Sequence, residues 1–489
     1  MLHAIDPMRV PFHPSPFGKC CGKYALTWLA IATTLASCGE RVGDTTRARS
    51  DAPNILLITV DTLRADHVGA WGYERNTSPS MDAFAAKSIV FERAYAPAPW
   101  TKPSVASLHT GLYPSAHTIQ RPRAALPEEV VTIAEILQSE GWSTASVTSN
   151  SLLAERFGYG QGFDFYDTGD AIDHAYISTP GVTKTAKDFL ADFSTSDKPF
   201  FLSVLYFDPH YDWLSHDKGF AAESAGRLDG GETIHELRDM AKEGAGLATA
   251  ELALLRDRYD EEIRFTDDGI GDLLAELEKL GLAKNTVVLF TADHGEEFME
   301  HGWLGHTRFL YDGMIHVPLA IFDPRTSAAP PQRISQPVST VSVTPTIVEL
   351  AGLDEGKYEF GERSLAPLVR GSKDFPFGLV FSEVNFKAAQ EGNEEKEAHF
   401  KAVIDGTTKF IRVPGKPIFE AYDTSVDPQE QDNLMSGPEA GALRLKYNPH
   451  IANWTKTQVE RAYEPRTVIY TDQDLERMRD LGYLDSAAD

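Results

Sequence analysis

The chain has 489 residues, of which 42% are hydrophobic and 24% are charged, and its formal net charge at pH 7 is −26. This length suits one large domain and a smaller one, and the apolar content is that of a globular protein. A strongly acidic surface repels phosphate backbones, so we expect no nucleic-acid partner. A small anionic substrate is still compatible with this charge, because a metal ion dominates the electric field within its own site.

The N-terminus predicts a lipoprotein signal peptide over residues 1–37. Basic residues precede a short apolar stretch, residues 25–36, which is too short to span a bilayer. The stretch ends in Leu35-Ala36-Ser37-Cys38, which resembles the lipobox of bacterial lipoproteins, where the cysteine is acylated and the chain is cut before it. We therefore expect a lipid anchor at Cys38, a tether over residues 38–52, and a place in the bacterial cell envelope facing the periplasm or the exterior. An ordinary signal peptide with a chance cysteine is the alternative.

Apolar segments alternate with helical patterns between residues 53 and 354. The predicted strands cover residues 54–60, 143–148, 200–207, 286–291 and 318–322. The predicted helices cover residues 80–87, 131–140, 252–280 and 343–351. Because continuous apolar strands that alternate with helices are typical of parallel sheets, we predict an α/β fold for residues 53–354: a large, mostly parallel β-sheet sandwiched by helices.

The pattern changes after about residue 355 to short strands and turns. These strands are predicted at residues 379–384, 399–404, 409–413 and 419–423. They indicate a small C-terminal antiparallel α+β subdomain over residues 355–489. Residues 217–246 are rich in Gly, Glu and Asp and predict an inserted loop near the mouth of a site.

Three predicted strands end in acidic or imidazole side chains: Asp61, Asp208 with His210, and Asp293 with His294. A single such end is usually a turn or a helix cap. Because the carboxyl ends of parallel strands meet at one edge of the sheet, where α/β proteins bind ligands, we expect these side chains to converge. Asp and His together suit a divalent cation, so the sequence predicts a metal site at this edge.

A hydroxyl group stands before another predicted helix. Residues 99–114 begin in a Pro-rich loop and become helical from about Ser104, which places Thr101 ahead of the helix N-terminus. Free backbone N–H groups and the helix dipole stabilise an alkoxide or an attached phosphoryl group at such a position. Thr101 is therefore a candidate nucleophile, and a plain helix cap is the alternative.

Long stretches of the chain resemble the sulfatase family of the alkaline phosphatase superfamily. They include NILLITVDTLRADHVGAWGY, WTKPSVASLHTGLYPS, NTVVLFTADHGEE, LYDGMIHVPL and YDTSVDPQEQDNL. The resemblance implies a metal-dependent hydrolase whose mixed, mostly parallel sheet is sandwiched by helices and followed by a small C-terminal sheet.

Several positions depart from the family pattern. Sulfatases begin a C/S-x-P-x-R motif with a Cys or Ser that is oxidised to formylglycine, whereas this chain has Thr101, and Val105 replaces the arginine. Threonine cannot give formylglycine. The family's paired Asp is Asp61-Thr62 here, and its Gly-Lys-Trp-His stretch is replaced around Asn150. The chain therefore resembles threonine-nucleophile members of the superfamily, such as phosphodiesterases and envelope phosphoglycerol transferases.

This resemblance implies a hydrolase of phosphate or phosphonate esters that acts through one divalent ion, Mn, Zn, Ca or Mg. The implied metal ligands are Asp61, Thr101, Asp293 and His294. The implied catalytic residues are Thr101 as nucleophile and two imidazoles that bind the ester oxygens or protonate the leaving group, His210 and His306. The predicted substrate contacts are Lys102, Asn150 and Asp208.

Other interpretations remain open at this stage. Asp208, His210 and His306 could instead hold a second ion. The family resemblance is also compatible with a sulfuric ester hydrolase of the arylsulfatase type, with an envelope phospho-headgroup transferase, and with a binding lipoprotein that lacks catalysis. In each case we expect a small anionic ester, or the headgroup of a glycan or lipid, as the ligand.

Overall fold

A computed structural model describes residues 52–169, 178–211, 213–244, 246–326, 332–386 and 398–483. The predicted signal peptide and the predicted lipid anchor at Cys38 lie outside these ranges. Within them, no helix combines the length and the apolar character needed to cross a membrane.

The described elements follow the alternation that the sequence predicts. The strands are β1 Asn54–Val60, β2 Ile89–Tyr95, β3 Ala124–Ala125, β4 Ser143–Thr148, β5 Phe165–Asp167, β6 Phe200–Tyr206, β7 Thr286–Ala292, β8 Glu297–Phe298, β9 Leu304–Gly305, β10 His316–Phe322, β11 Gln332–Ile334, β12 Val338–Ser339, β13 Val380–Phe386, β14 Ala398–Asp405, β15 Thr408–Arg412, β16 Phe419–Asp423 and β17 Arg466–Thr467. The α-helices are α1 Pro79–Ala85, α2 Thr101–Thr110, α3 Pro114–His117, α4 Ile133–Ser139, α5 Thr179–Phe193, α6 Ile234–Lys242, α7 Thr249–Lys279, α8 Asp312–Ile315, α9 Val343–Leu350, α10 Ala366–Val369, α11 Ala440–Glu460 and α12 Asp472–Asp480.

Nine strands of the described ranges form one large mixed sheet in the order β11-β2-β10-β7-β1-β6-β4-β5, with β12 beside β2. Strands β7, β1, β6, β4 and β5 are parallel to one another, and β10 runs antiparallel to both β7 and β2. Helices flank the sheet, so both faces of β1 and β7 are fully buried, which explains their unbroken apolar sequences. The predicted α/β fold class is confirmed.

A second, antiparallel sheet lies in the C-terminal part of the chain, in the order β13-β14-β15-β16. It matches the predicted short strands, whereas the boundary near residue 355 stays a prediction. Helix α11 covers this sheet with Tyr447 and Trp454, which pack against Phe381 and Phe410.

The structure differs from the sequence prediction at two helix starts near the site. Helix α2 begins at Thr101 and not at Ser104, because Pro103 is tolerated in the first turn, where its missing N–H has no intrahelical partner. The segment 217–246, predicted as a loop, contains α6, which a capping box between Thr233 and Glu236 initiates.

Candidate active site

Four predicted side chains converge where β1 and β7 end. These strands are parallel neighbours with Val60 opposite Ala292, so Asp61 follows one strand at the same level as Asp293 and His294 follow the other. Thr101, the first residue of α2, completes the cluster. All four side chains are 0% exposed.

The cluster is tight enough to hold one ion. His294 Nε2 lies 3.5 Å from Asp61 Oδ1 and 3.5 Å from Asp293 Oδ2. Thr101 Oγ lies 3.3 Å from His294 Nε2 and 3.5 Å from Asp61 Oδ1. One ligand atom from each of Asp61, Asp293 and His294 falls within 4.8 Å of the other two. The predicted ligands are therefore brought together.

The charges of the cluster fit a bound cation. Burial raises the pKa of the Asp61 carboxyl group, and burial together with the charge of Asp61 raises the pKa of Asp293. Burial lowers the pKa of His294 to about 3, so its imidazole is neutral. Asp293 Oδ2 is buried and has no hydrogen-bond partner within the described ranges. Two carboxylates, a neutral imidazole and a hydroxyl are a donor set that divalent metals accept, so the residues present fit such an ion.

Hydrogen bonds from neighbouring residues orient the ligands. The Asn150 Nδ2 amide donates to Asp61 Oδ2 at 2.8 Å. Asn150, which the sequence analysis predicted as a substrate contact, therefore lies against one of the candidate metal ligands. The Thr62 amide donates to Asp293 Oδ1 at 3.2 Å. His294 Nδ1 lies 2.8 Å from the Gly295 carbonyl oxygen, and an Nδ1 proton donated there leaves the Nε2 lone pair facing the cluster.

Thr62 adopts a left-handed backbone conformation with a φ of 55°. Such a conformation is costly for a β-branched residue and tends to occur at functional sites. It turns the chain directly after Asp61, and the Tyr259 hydroxyl holds the turn by donating to the Thr62 carbonyl oxygen at 2.7 Å. The strain thus lets one short segment supply both a ligand and the amide that binds Asp293.

The two predicted imidazoles lie next to the cluster. The His306 ring is 4.6 Å from the His294 ring and 4.8 Å from the His210 ring, measured between centroids. His306 Nδ1 lies 3.1 Å from Glu296 Oε1, which fixes the orientation of the ring. The His210 ring stacks on Phe207 at 4.5 Å.

Lys102 is directed away from the cluster, contrary to its predicted role as a substrate contact. Its buried ammonium group donates to the carbonyl oxygens of Pro122 at 2.7 Å and Ala124 at 2.6 Å. Burial lowers its pKa well below the usual range. Adjacent residues of a helix do not face the same direction, so its position beside Thr101 in sequence does not place it in the site.

Asp208 also has a different role from the predicted one. Its carboxylate accepts hydrogen bonds from the Ser178 amide at 2.8 Å, the Ser178 hydroxyl at 2.7 Å and the Thr179 amide at 2.7 Å. It therefore satisfies the free N–H groups at the start of α5. This arrangement supports neither a substrate contact nor a second ion at Asp208.

Sequence reasoning missed Tyr483, which follows α12. Its hydroxyl lies 3.1 Å from His306 Nε2, and the residue is 1% exposed. The one local signal is Gly482, a typical residue after the end of a helix, and it carries no information about chemistry.

Comparison with known proteins adds the family context. The family model described as Sulfatase matches residues 53–353, and the one described as N-sulphoglucosamine sulphohydrolase, C-terminal, matches residues 299–457. The chain is 24% identical over 453 residues to the Ulvan-active sulfatase of Formosa agariphila, covering 85% of this chain and 84% of that protein. It is 25% identical over 460 residues to Arylsulfatase A of Homo sapiens, covering 79% of this chain and 84% of that protein.

Solved structures share the fold. The phosphonate monoester hydrolase of Agrobacterium radiobacter superimposes with a TM-score of 0.69 at 21% sequence identity, covering 86% of this chain and 98% of that one. At this identity the likeness shows the fold alone.

Proposed function

Because the chain belongs to the sulfatase family of ester hydrolases, we propose that it hydrolyses phosphate or phosphonate esters with Thr101 as the nucleophile. One observation carries this proposal. A threonine occupies the nucleophile position, where the family motif has an oxidisable Cys or Ser, and its Oγ lies 3.3 Å from His294 Nε2 at the start of α2. The N-terminal end of the helix favours the negative charge that develops on this oxygen.

Asp61, Asp293 and His294 would hold the divalent ion, whose identity among Mn, Zn, Ca and Mg the residues leave open. When bound, the ion supplies Lewis-acid polarisation of the ester oxygens. The protein's own contribution is orientation, since Asn150 fixes Asp61 and the Thr62 amide fixes Asp293.

The reaction takes two in-line steps. In the first step, a bond forms between Thr101 Oγ and phosphorus while the bond from phosphorus to the leaving alkoxide breaks. The Thr101 proton passes to the leaving alkoxide, and we assign this transfer to His306, which Glu296 orients, with His210 beside it. In the second step, water bonds to phosphorus, the bond to Oγ breaks, and Thr101 regains a proton.

Sulfate ester hydrolysis is the second candidate, because the family model and the two named relatives are sulfatases. Rates on p-nitrophenyl sulfate, phosphate, phosphodiester and phosphonate monoester, each with Mn, Zn, Ca or Mg, separate the candidates. We expect the phosphodiester or phosphonate to lead by about a hundredfold, which corresponds to about 3 kcal/mol in transition-state free energy. A lead for the sulfate ester would contradict the proposal.

The nucleophile is tested separately by Thr101→Ala, which should abolish turnover. Thr110→Ser, at the other end of α2, is the matched control, because the Thr110 hydroxyl donates to the Ala106 carbonyl oxygen and accepts from the Leu112 amide, and serine keeps this hydroxyl. Wild-type turnover by Thr101→Ala would remove the nucleophile assignment.

We further propose that the protein is tethered to the bacterial cell envelope by a lipid on Cys38, where it meets small anionic esters or headgroups. The support is the sequence Leu35-Ala36-Ser37-Cys38 after an apolar stretch. Cys38→Ser should move the protein from the membrane fraction to the soluble fraction, and unchanged membrane association would contradict the anchor.

A further inference from the structure

Both ring nitrogens of His306 are occupied by side chains of the protein. Nδ1 lies 3.1 Å from Glu296 Oε1, and Nε2 lies 3.1 Å from the Tyr483 hydroxyl. Each nitrogen of an imidazole ring makes one hydrogen bond in the plane of the ring, either as donor or as acceptor. An ester oxygen can therefore bond to His306 Nε2 only after the Tyr483 hydroxyl has left it.

The proposed nucleophile is enclosed as well. Thr101 and His306 are each 0% exposed, and so are the three candidate metal ligands. The Tyr483 ring takes part in this enclosure, since it lies 6.0 Å from the ring of Trp100, the residue before Thr101, and 6.1 Å from the ring of Phe386, between centroids. Because no substrate reaches a nucleophile without exposed surface, the structure is a closed state of the site.

The position of Tyr483 is fixed by the way α12 ends. Gly482 adopts a left-handed conformation with a φ of 62°. The Gly482 amide donates to the Arg479 carbonyl oxygen at 2.7 Å, and the Tyr483 amide donates to the Met478 carbonyl oxygen at 2.9 Å. This pair of bonds is the Schellman motif, which reverses the chain after a helix. Tyr483 is thereby turned back across the end of α12.

Side chains hold the C-terminal segment, residues 472–483, by its backbone oxygens. Arg238 Nη1 donates to the Gly482 carbonyl oxygen at 3.0 Å, and the Tyr211 hydroxyl donates to the Leu481 carbonyl oxygen. His235 Nε2 lies 2.7 Å from the Arg479 carbonyl oxygen. None of these three contacts is a strand pairing, so the last turn of the segment can move away while the large sheet stays intact.

We propose that the C-terminal segment is an autoinhibitory strap, whose Tyr483 hydroxyl occupies at His306 Nε2 the place that an ester oxygen of the substrate needs. The site becomes competent when this hydroxyl moves off His306. The inference rests on the proposed function, because it takes His306 as the group that contacts the ester.

The rate at which a thiol at position 101 is modified measures the opening directly. The three cysteines of the chain are Cys20, Cys21 and Cys38. The full chain with all three replaced by serine and with Thr101→Cys therefore carries a single thiol, and this thiol lies in the site. A buried group reacts in proportion to the population of the open state. We expect Tyr483→Phe to make labelling by a thiol reagent about 5- to 10-fold faster, the effect of one lost hydrogen bond.

Tyr470→Phe in the same cysteine background is the matched control. Tyr470 is a buried tyrosine just before α12 whose hydroxyl has no hydrogen-bond partner within the described ranges, so labelling should stay as slow as in the parent. In the protein that keeps Thr101, Tyr483→Phe should raise kcat/KM on a p-nitrophenyl phosphonate monoester by a factor similar to that for labelling, because the closed state is weakened while the phenyl ring still fills its space.

Equal labelling rates for Tyr483→Phe and Tyr470→Phe would overturn the inference. Faster labelling that is matched by a loss of melting temperature would also overturn it, since it would report a general loosening of the fold. A fall in kcat/KM for Tyr483→Phe would do the same, because the hydroxyl would then serve the reaction and not the closure. If the wild-type protein cleaves none of the esters, the proposed function fails, and the labelling rates still decide whether Tyr483 closes the site.

Discussion

Two parts of the site, which we call its floor and its roof, are held in place in different ways. The floor consists of Asp61, Thr101, Asp293 and His294, which follow buried parallel strands or begin a helix, so the sheet fixes their positions. The roof is the C-terminal segment, residues 472–483, whose backbone oxygens accept hydrogen bonds from the Tyr211 hydroxyl and from Arg238 of the inserted region. Because Thr101 is fully buried, a substrate can reach it only if part of this enclosure moves.

The largest expected effect comes from removing a carboxylate of the floor. Asp293→Asn should abolish metal binding and turnover, and it should raise the melting temperature of the metal-free protein, because two buried carboxylates no longer repel each other. Thermal unfolding with and without chelator measures both effects. Asp267→Asn is the control, since this carboxylate already accepts hydrogen bonds from the Ser80 and Met81 amides. The prediction is wrong if the metal-free Asp293→Asn protein melts at or below the wild-type temperature.

A smaller loss should follow when an orienting contact of the floor is removed. Asn150→Ala leaves Asp61 without the amide that holds its Oδ2, so metal affinity should fall about 10- to 100-fold. Calorimetric titration with the preferred metal measures this loss. Asn385→Ala, which removes an amide bonded to Gln120 in the antiparallel sheet, should leave the affinity unchanged. Equal affinities for wild type and Asn150→Ala would show that the sheet alone positions Asp61.

The floor could be predicted from sequence, and the roof could not. An apolar run that ends in an acidic residue predicts a buried strand and also a metal ligand at the end of that strand, as it does for Asp61 and Asp293. Tyr483 reaches the site through a helix-ending motif and long-range docking, which leave no periodic pattern. Lys102 misled the prediction because sequence adjacency to Thr101 does not determine direction on a helix. Asp208 was predicted as a substrate contact because it follows a strand, but an acidic residue at that position can equally well accept hydrogen bonds from the N-terminus of a helix.

The roof is tested by removing the side chain that joins it to the inserted region. Arg238 donates to the carbonyl oxygens of Leu304 and Gly482, so Arg238→Met should loosen the segment while keeping much of the side-chain volume. Hydrogen exchange in residues 472–483 should become faster, with a change in kcat/KM of only a few-fold, about the value of one or two hydrogen bonds. Arg227→Met, in the same inserted region, is the control because Arg227 pairs with Glu251. Unchanged exchange in Arg238→Met would mean that the roof is held by other contacts.

The smallest predicted effect at neutral pH concerns His117, which contacts α2, the helix that begins at Thr101. His117 is fully buried, with Nε2 3.0 Å from the Ser107 hydroxyl of α2, and burial lowers its pKa to about 3. The unfolded chain binds this proton first, so the contribution to stability is complete above about pH 6.5 and is lost as the pH falls toward 3. His117→Asn should reduce the difference in unfolding free energy between pH 7 and pH 5 by about 2 kcal/mol.

Denaturant unfolding at the two pH values measures this change. His450→Gln on the exposed side of α11 should leave the difference as in wild type. An equal pH dependence in His117→Asn and wild type would remove His117 as the cause.

The central claim is that the ester is transferred to Thr101 before water attacks, and the stereochemical course at phosphorus tests it most directly. A phosphonate or phosphodiester made chiral at phosphorus is hydrolysed in isotopically labelled water, and the configuration of the product is determined. Two in-line displacements through Thr101 predict net retention of configuration. Net inversion would mean that water attacks the ester directly, and it would contradict the assignment of Thr101 as the nucleophile.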